Sequence, residues 1–309
     1  MQTTIPSERA ARIAALGYDY GAQPCERLAH CNLCGGSRLV TVTHRDRYGY
    51  RAPATACARC GLMFLNPRMT AEAYSRFYDG IYRPLVSAFH GRQIDAKSIQ
   101  DEQRDYAVDR AEMIRPFLRG AGLQSMLDIG GSTGVVAGHF AQEFGLAGTL
   151  IDPAPLEVQE ARAFGLETVT GLVEEHDFGS RRFDLVIICQ TVDHLLDVSG
   201  TLRRVRDLLT ERGQLFIDIV DFRAAYLRNW SVEDATKIDH PYYLTQNTME
   251  AYLRRAGFSI TTVDYAADHL HVSYLCRQAP PVPDALPDPA AVRDLFREIR
   301  LVQNAPRPS

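Results

Sequence analysis

The sequence predicts an α/β fold, and three observations carry the prediction. From Ser125 onward, short apolar runs alternate with stretches of helical period, as in parallel strands joined by crossover helices. The last two runs, 258–265 and 269–276, are separated by a short turn and must pair antiparallel. Upstream, Cys31-Asn-Leu-Cys34-Gly35 and Cys57-Ala-Arg-Cys60-Gly61 repeat one compact motif. The expected architecture is a seven-stranded sheet, parallel with one antiparallel strand, plus a small ribbon-like N-terminal module. The expected boundaries are 1–69 for the module, 70–104 for a helical lid or linker, 105–278 for the α/β domain, and 279–309 for a proline-rich linker and terminal helix.

Each element has a local reason. Residues 7–16 read as a helix. Residues 31–68 hold the two cysteine turns with short strands between them. Thr70 is a natural N-cap for a helix over 70–79. The stretch 81–100 has no clean period, and its Tyr82, Arg83, Phe89 and Arg92 suit a lid or hinge. Residues 105–118 place Ala107, Ala111, Ile114 and Leu118 at helical spacing, and Gly120 and Gly122 end that run. Strands follow at 125–129, 147–151, 168–170, 183–189 and 214–220, with helices at 135–144, 155–164, 200–209 and 248–256 between them or after the last. Five prolines in 279–289 predict an extended linker, and 289–302 a closing helix.

Composition narrows the function. The chain has 309 residues, 34 basic and 38 acidic side chains and a net charge of −4. A nucleic-acid binder usually carries a basic surplus, so no nucleic-acid partner is expected. No apolar run reaches the roughly 20 residues of a membrane span, and the first ten residues hold no apolar core of a signal peptide. A cytoplasmic enzyme without a membrane partner is expected.

Clustered Cys-x-x-Cys pairs in a reducing compartment read as metal ligands before disulfides. Each motif sets two thiolates on one turn, and two motifs supply a closed tetrahedral shell. That is the pattern of structural Zn²⁺, with Cys31, Cys34, Cys57 and Cys60 as ligands.

The second motif is Asp128-Ile-Gly130-Gly131-Ser132-Thr133-Gly134, between a strand and a helix. Such a turn brings backbone N–H groups and a helix N-terminus to a ligand. An acid at the strand end suits a ligand with an amino group, and Asp152, ending the next strand, suits ribose hydroxyls. Here the chain resembles the class I S-adenosylmethionine-dependent methyltransferases. Their first motif is an acid, any residue, then Gly-x-Gly-x-Gly; this chain matches at Asp128, Gly130 and Gly134 and departs at Ser132. The resemblance covers about 105–277. It implies a Rossmann-like sheet, S-adenosyl-L-methionine as cofactor, and donor contacts from Asp128, Gly130, Gly131, Ser132, Gly134, Asp152 and Gln190. The double cysteine motif followed by residues 61–68 also resembles a subgroup with an N-terminal zinc-binding module, often associated with sugar or natural-product methylation.

A hydroxyl acceptor must lose a proton, and a histidine near neutrality serves as base. His194 and Asp193 follow the fourth strand of the sheet, and His240 lies in the loop after the fifth. Both places border the carboxyl edge, where ligands bind in open α/β sheets. The expected function is O-methylation of a sugar hydroxyl or another small polar acceptor, with His194 or His240 as base and Asp193 orienting an imidazole. The alternatives are C-methylation of a keto-sugar, an RNA methyltransferase, and a non-catalytic protein that recruits a partner through the zinc module.

Overall fold

The computed structural model describes residues 7–304. The helices are α1 (Ser7–Ala14), α2 (Ala71–Gly80), α3 (Tyr82–His90), α4 (Ala96–Leu118), α5 (Val135–Phe144), α6 (Pro155–Ala161), α7 (Val198–Leu208), α8 (Phe222–Asn229), α9 (Val232–Ala235), α10 (Gln246–Ala256) and α11 (Pro289–Asn304). The N-terminal strands are β1 (Cys25–Glu26), β2 (Leu39–Thr43), β3 (Ala54–Cys57), β4 (Met63–Leu65) and β5 (Arg68–Met69). The later strands are β6 (Ser125–Ile129), β7 (Ala147–Asp152), β8 (Glu167–Thr170), β9 (Phe183–Cys189), β10 (Leu209–Val220), β11 (Tyr242–Tyr243), β12 (Phe258–Tyr265) and β13 (His271–Gln278).

The main sheet has seven strands in the order β12-β13-β10-β9-β6-β7-β8. Strands β6 to β10 run parallel, and β13 is the reversed strand, antiparallel to both β10 and β12. Period-two alternation divides the strand side chains between two faces. Met126, Leu185, Ile187, Phe216 and Leu275 pack with Ala107, Ala111 and Ile114 of α4 and Phe140 of α5. Leu127, Val186, Ile188, Leu215 and Ile217 face the other way, toward Leu202 of α7 and Leu253 of α10. Strand β10 begins at Leu209 rather than 214, with a register irregularity between those two residues. Helix α4 starts at Ala96 because Asp95 and Ser98 form a reciprocal capping box. It therefore runs unbroken across the expected boundary at 104/105.

The N-terminal module is built into the rest of the molecule. Its sheet has the order β11-β4-β3-β2, so the strand Tyr242–Tyr243, which follows β10 in the chain, completes it. Tyr242 pairs with Phe64 and Tyr243 with Met63. Cys31, Leu33, Cys57 and Phe64 share one apolar cluster with Leu253 and Tyr252 of α10. Ile299 and Val302 of α11 pack in a second cluster with Met63, Leu65 and Ile238. Truncating Phe64, fully buried at this junction, to alanine removes contacts of a kind worth about 3–5 kcal/mol.

Candidate functional site

The carboxyl edge of the sheet gathers the predicted residues in two adjoining groups. The first surrounds the glycine turn after β6. Gly130 has φ 72°, and a Cβ there would stand 2.2 Å from Thr191 Cγ2. A Cβ on Gly131 would stand 2.4 Å from Asp128 Oδ2. Only glycine fits such approaches. Ser132, where the methyltransferase motif has glycine, holds φ 51° and is tied down from both ends. Its N–H donates to Asp152 Oδ2 at 3.0 Å, and its hydroxyl donates to Glu157. Glu157 on α6 in turn pairs with Arg83 of α3 at 2.5 Å. The α2–α3 region is thereby linked to the glycine turn.

Asp128 is 1 % exposed, and neither carboxylate oxygen has a hydrogen-bond partner among the described residues. Burial, with the Asp152 charge second, pushes its pKa up to about 8. Asp152 is pushed to about 6, again chiefly by burial. A buried carboxylate left unpaired is costly, so this turn is preorganised for a group that donates or carries positive charge. Helix α4 adds a stripe the sequence reading missed. Gln103 accepts from Thr133 Oγ1 at 3.2 Å. One turn further, Tyr106 lies beside Cys189 and Asp218. One more turn on, Arg110 Nε lies 3.6 Å from Asp218 Oδ2. Arg110 is 1 % exposed, yet its Nε finds no hydrogen-bond partner among the described residues. Gln190, the other expected donor contact, follows β9 directly, with φ 52°.

The second group joins His194, His240 and Asp193. The two imidazole centroids are 4.4 Å apart. Asp193 serves His240 rather than its neighbour: His240 Nδ1 lies 2.7 Å from Asp193 Oδ2. The imidazole that Asp193 meets is thus the one from the loop after β10 and not that of its sequence neighbour. His240 Nε2 lies 3.3 Å from Asp239 Oδ2 and 3.4 Å from Lys237 Nζ. Burial and Lys237 disfavour its charge, but the two carboxylates outweigh them and the pKa is raised. His240 is thus contacted by a carboxylate at each ring nitrogen, and the pair favours its charged form.

His194 has the opposite preference. Burial, then the neighbouring His240 charge, pushes its pKa down to about 4, so it is neutral at pH 7. Its Nδ1 lies 3.0 Å from the Asp239 carbonyl and 2.7 Å from the Tyr78 hydroxyl, which itself donates to that carbonyl at 2.7 Å. A carbonyl only accepts, so Nδ1 carries the proton and Nε2 keeps the basic lone pair. Tyr78, Lys237 and Asp239 were not singled out from sequence. Lys237 left a faint signal as one of two lysines in the chain. Asp221, just after β10, accepts from Tyr265 at 2.7 Å and caps α8.

The third group lies in the N-terminal module. Sγ of Cys31 is 3.5 Å from that of Cys60, and Cys34 is 3.5 Å from Cys57. All four sulfurs lie within 4.8 Å of one another. A tetrahedron with Zn–S bonds near 2.3 Å has edges of about 3.8 Å, so the sulfur cage fits a zinc-sized ion. Gly35 and Gly61 donate back to the carbonyls of Cys31 and Cys57 at 2.8 Å, closing the two turns. Cys25 is exposed, in β1.

A seven-stranded sheet with one reversed strand, a glycine turn flanked by two acids and a polar cluster beside it define a methyltransferase-type domain. Residues 87–263 match the methyltransferase domain family, and the chain belongs to that family. It is similar to a ubiquinone biosynthesis O-methyltransferase of Azorhizobium caulinodans, 26% identical over 167 residues, which are 49% of this chain and 63% of that protein. The match thus spans less than two thirds of the relative. Among solved structures, the mitomycin 7-O-methyltransferase MmcR superposes with a TM-score of 0.50 at 18% identity, covering 67% of this chain and 60% of that one. DesVI of Streptomyces venezuelae gives 0.50 at 17% identity, covering 60% of this chain and all of DesVI (100%). These likenesses support the fold. No helix among the described residues is long and apolar enough to cross a membrane.

Proposed function

We propose that this protein transfers a methyl group from S-adenosylmethionine to a hydroxyl of a small polar acceptor, with His194 as general base. The observation that carries the reading is the place of His194 at the sheet edge beside the glycine turn, its Nδ1 3.0 Å from the Asp239 carbonyl, where burial pushes its pKa down to about 4. The donor supplies an electrophilic methyl group on a sulfonium. Its other groups match the site in charge: the unpartnered Asp128 suits its ammonium, the buried Arg110 its carboxylate, and Asp152 its ribose hydroxyls. Gly130, Gly131, Ser132 and Gly134 give it room, and Gln190 borders it. His194 Nε2 takes the acceptor proton, while alignment of acceptor and donor supplies much of the rate. Burial, then His240, keeps the base neutral, and Asp193 anchors His240 beside it.

A sugar is the proposed acceptor class. Tyr78, His194, Lys237 and Asp239 form a polar cluster at this edge suited to several hydroxyls. One observation favours a second reading, methylation of a carbon beside a ketone. The Lys237 ammonium beside the imidazole pair would stabilise the enolate that such a reaction forms. Zn²⁺ on Cys31, Cys34, Cys57 and Cys60 is proposed as a structural ion, in a shell with no open position. Neither a nucleic-acid nor a membrane partner is proposed, and a cytoplasmic location accords with the predicted thiolate site. The test is release of S-adenosylhomocysteine with a panel of sugars, keto-sugars and phenols. Turnover on a sugar hydroxyl is expected; turnover on phenols alone would remove the sugar, and none on any acceptor would leave a binding protein.

A further inference from the structure

We propose that Asp46, in the β2–β3 loop of the cysteine module, is a positioning residue for methyl transfer, holding the 236–240 segment so that Asp239 and His240 meet His194. The inference rests on the reaction proposed above and extends it to a residue remote from the donor turn. Asp46 is 1 % exposed. Its Oδ1 accepts from the N–H groups of Tyr48 at 3.1 Å and Tyr50 at 3.0 Å, which shapes its own loop. Its Oδ2 accepts from Ile238 N–H at 3.1 Å, across 192 residues of chain. Both oxygens are used, one for the module and one for the catalytic segment.

The chain before residue 80 grips that segment at almost every step. Arg47 N–H donates to Thr236 O at 2.9 Å and Leu65 N–H to Pro241 O at 3.0 Å. Tyr74 donates to Ile238 O at 3.1 Å and Tyr78 to Asp239 O at 2.7 Å. Pairing of β11 with β4 then fixes the far end. Among these contacts, Asp46 is the only one made by a side chain that accepts from the segment's own backbone N–H. Ile238 N–H is buried, and losing its acceptor leaves it unsatisfied while Lys237, Asp239 and His240 sit on either side of it. A shift of about 1 Å in such a segment can cost on the order of 100-fold in rate.

The experiment compares wild type with Asp46→Asn and Asp46→Ala in the full, metal-replete chain. Asn keeps one carboxyl-type oxygen and presents an N–H₂ group to one of the two sets of donors. Three quantities are read: the rate constant for turnover, the donor dissociation constant, and the titration of the His240 imidazole by NMR. That imidazole is faced by Asp193 from the turn after β9, by Asp239 and Lys237 from its own loop, and by His194. The expected result in Asp46→Asn is a 10- to 100-fold lower kcat, donor affinity within twofold, and a His240 titration moved to lower pH as Asp239 swings away. An unchanged His240 titration with kcat within twofold of wild type would overturn the proposal. So would equal losses of kcat and donor affinity, which mark a merely structural role. If wild type turns over no acceptor, the reaction itself is refuted, and the imidazole titration alone still decides whether Asp46 sets the segment. Asp46→Ala is used only where it melts cooperatively near wild type; otherwise Asp46→Asn carries the test.

Discussion

Replacing His194 by alanine is expected to lower kcat by about 10²–10⁴-fold, the usual contribution of a positioned general base, while leaving the donor dissociation constant within a fewfold of wild type. In the proposed reading His194 faces the acceptor, whereas the donor is held by the glycine turn, Asp152 and α4. The pH profile gives an independent check. The base works only when unprotonated, and its pKa is pushed down to about 4. Activity should therefore rise with pH through that value and be flat from about pH 5 to neutrality. His240 has its pKa raised by Asp193 and Asp239, so its proton is lost at higher pH than that of an ordinary histidine. There the Asp193–His240–Asp239 pairing loses its cation and activity should fall. An acid limb near the ordinary histidine value would contradict the burial argument. Survival of wild-type kcat in His194→Ala would remove the base assignment.

Stripping metal with a strong chelator, or replacing Cys57 by serine, should have the largest effect on stability. Structural zinc sites contribute on the order of 10 kcal/mol to the fold they close, comparable with the whole stability of a domain. Cys57 ends β3, which pairs with β4, which pairs with β11. Loss of the ion should loosen all three strands and the His240 loop that enters β11. The expected results are one zinc ion per chain by elemental analysis, and a melting temperature lower by ten degrees or more in Cys57→Ser. Donor binding, on a different sheet, should outlast turnover as metal is withdrawn. A metal-free preparation with the wild-type melting curve would contradict the cage.

Much of this arrangement could be read from residue order alone, and the exceptions share a cause. The parallel strands were legible because their apolar runs alternate with helical patterns, and the reversed strand because its connection is too short for a crossover. The glycine turn and the cysteine cage were legible because each is contiguous or nearly so. Strand β11 was not: two tyrosines in a loop become a strand only because β4, far away in sequence, offers an edge. The division of labour between the histidines was equally hidden. Asp193 and His194 are neighbours in the chain, within one 3-10 turn over Val192–His194, yet Asp193 meets His240 instead. Tyr78, Asp46 and Arg110 carry no motif. Their importance comes from burial and from partners many residues away, which local pattern does not encode. Ser132 shows the converse. It departs from the methyltransferase motif, and the structure compensates through Asp152 and Glu157.

The central claim is that the glycine turn takes S-adenosylmethionine. It is tested most directly by calorimetric titration of the zinc-replete protein with that donor, with its decarboxylated analogue and, separately, with NAD. Binding of S-adenosylmethionine with a dissociation constant on the order of micromolar, about −8 kcal/mol, is predicted, weaker by roughly tenfold without the carboxylate that Arg110 would hold, and no binding of NAD. A folded, metal-loaded sample that takes up no S-adenosylmethionine would contradict the account.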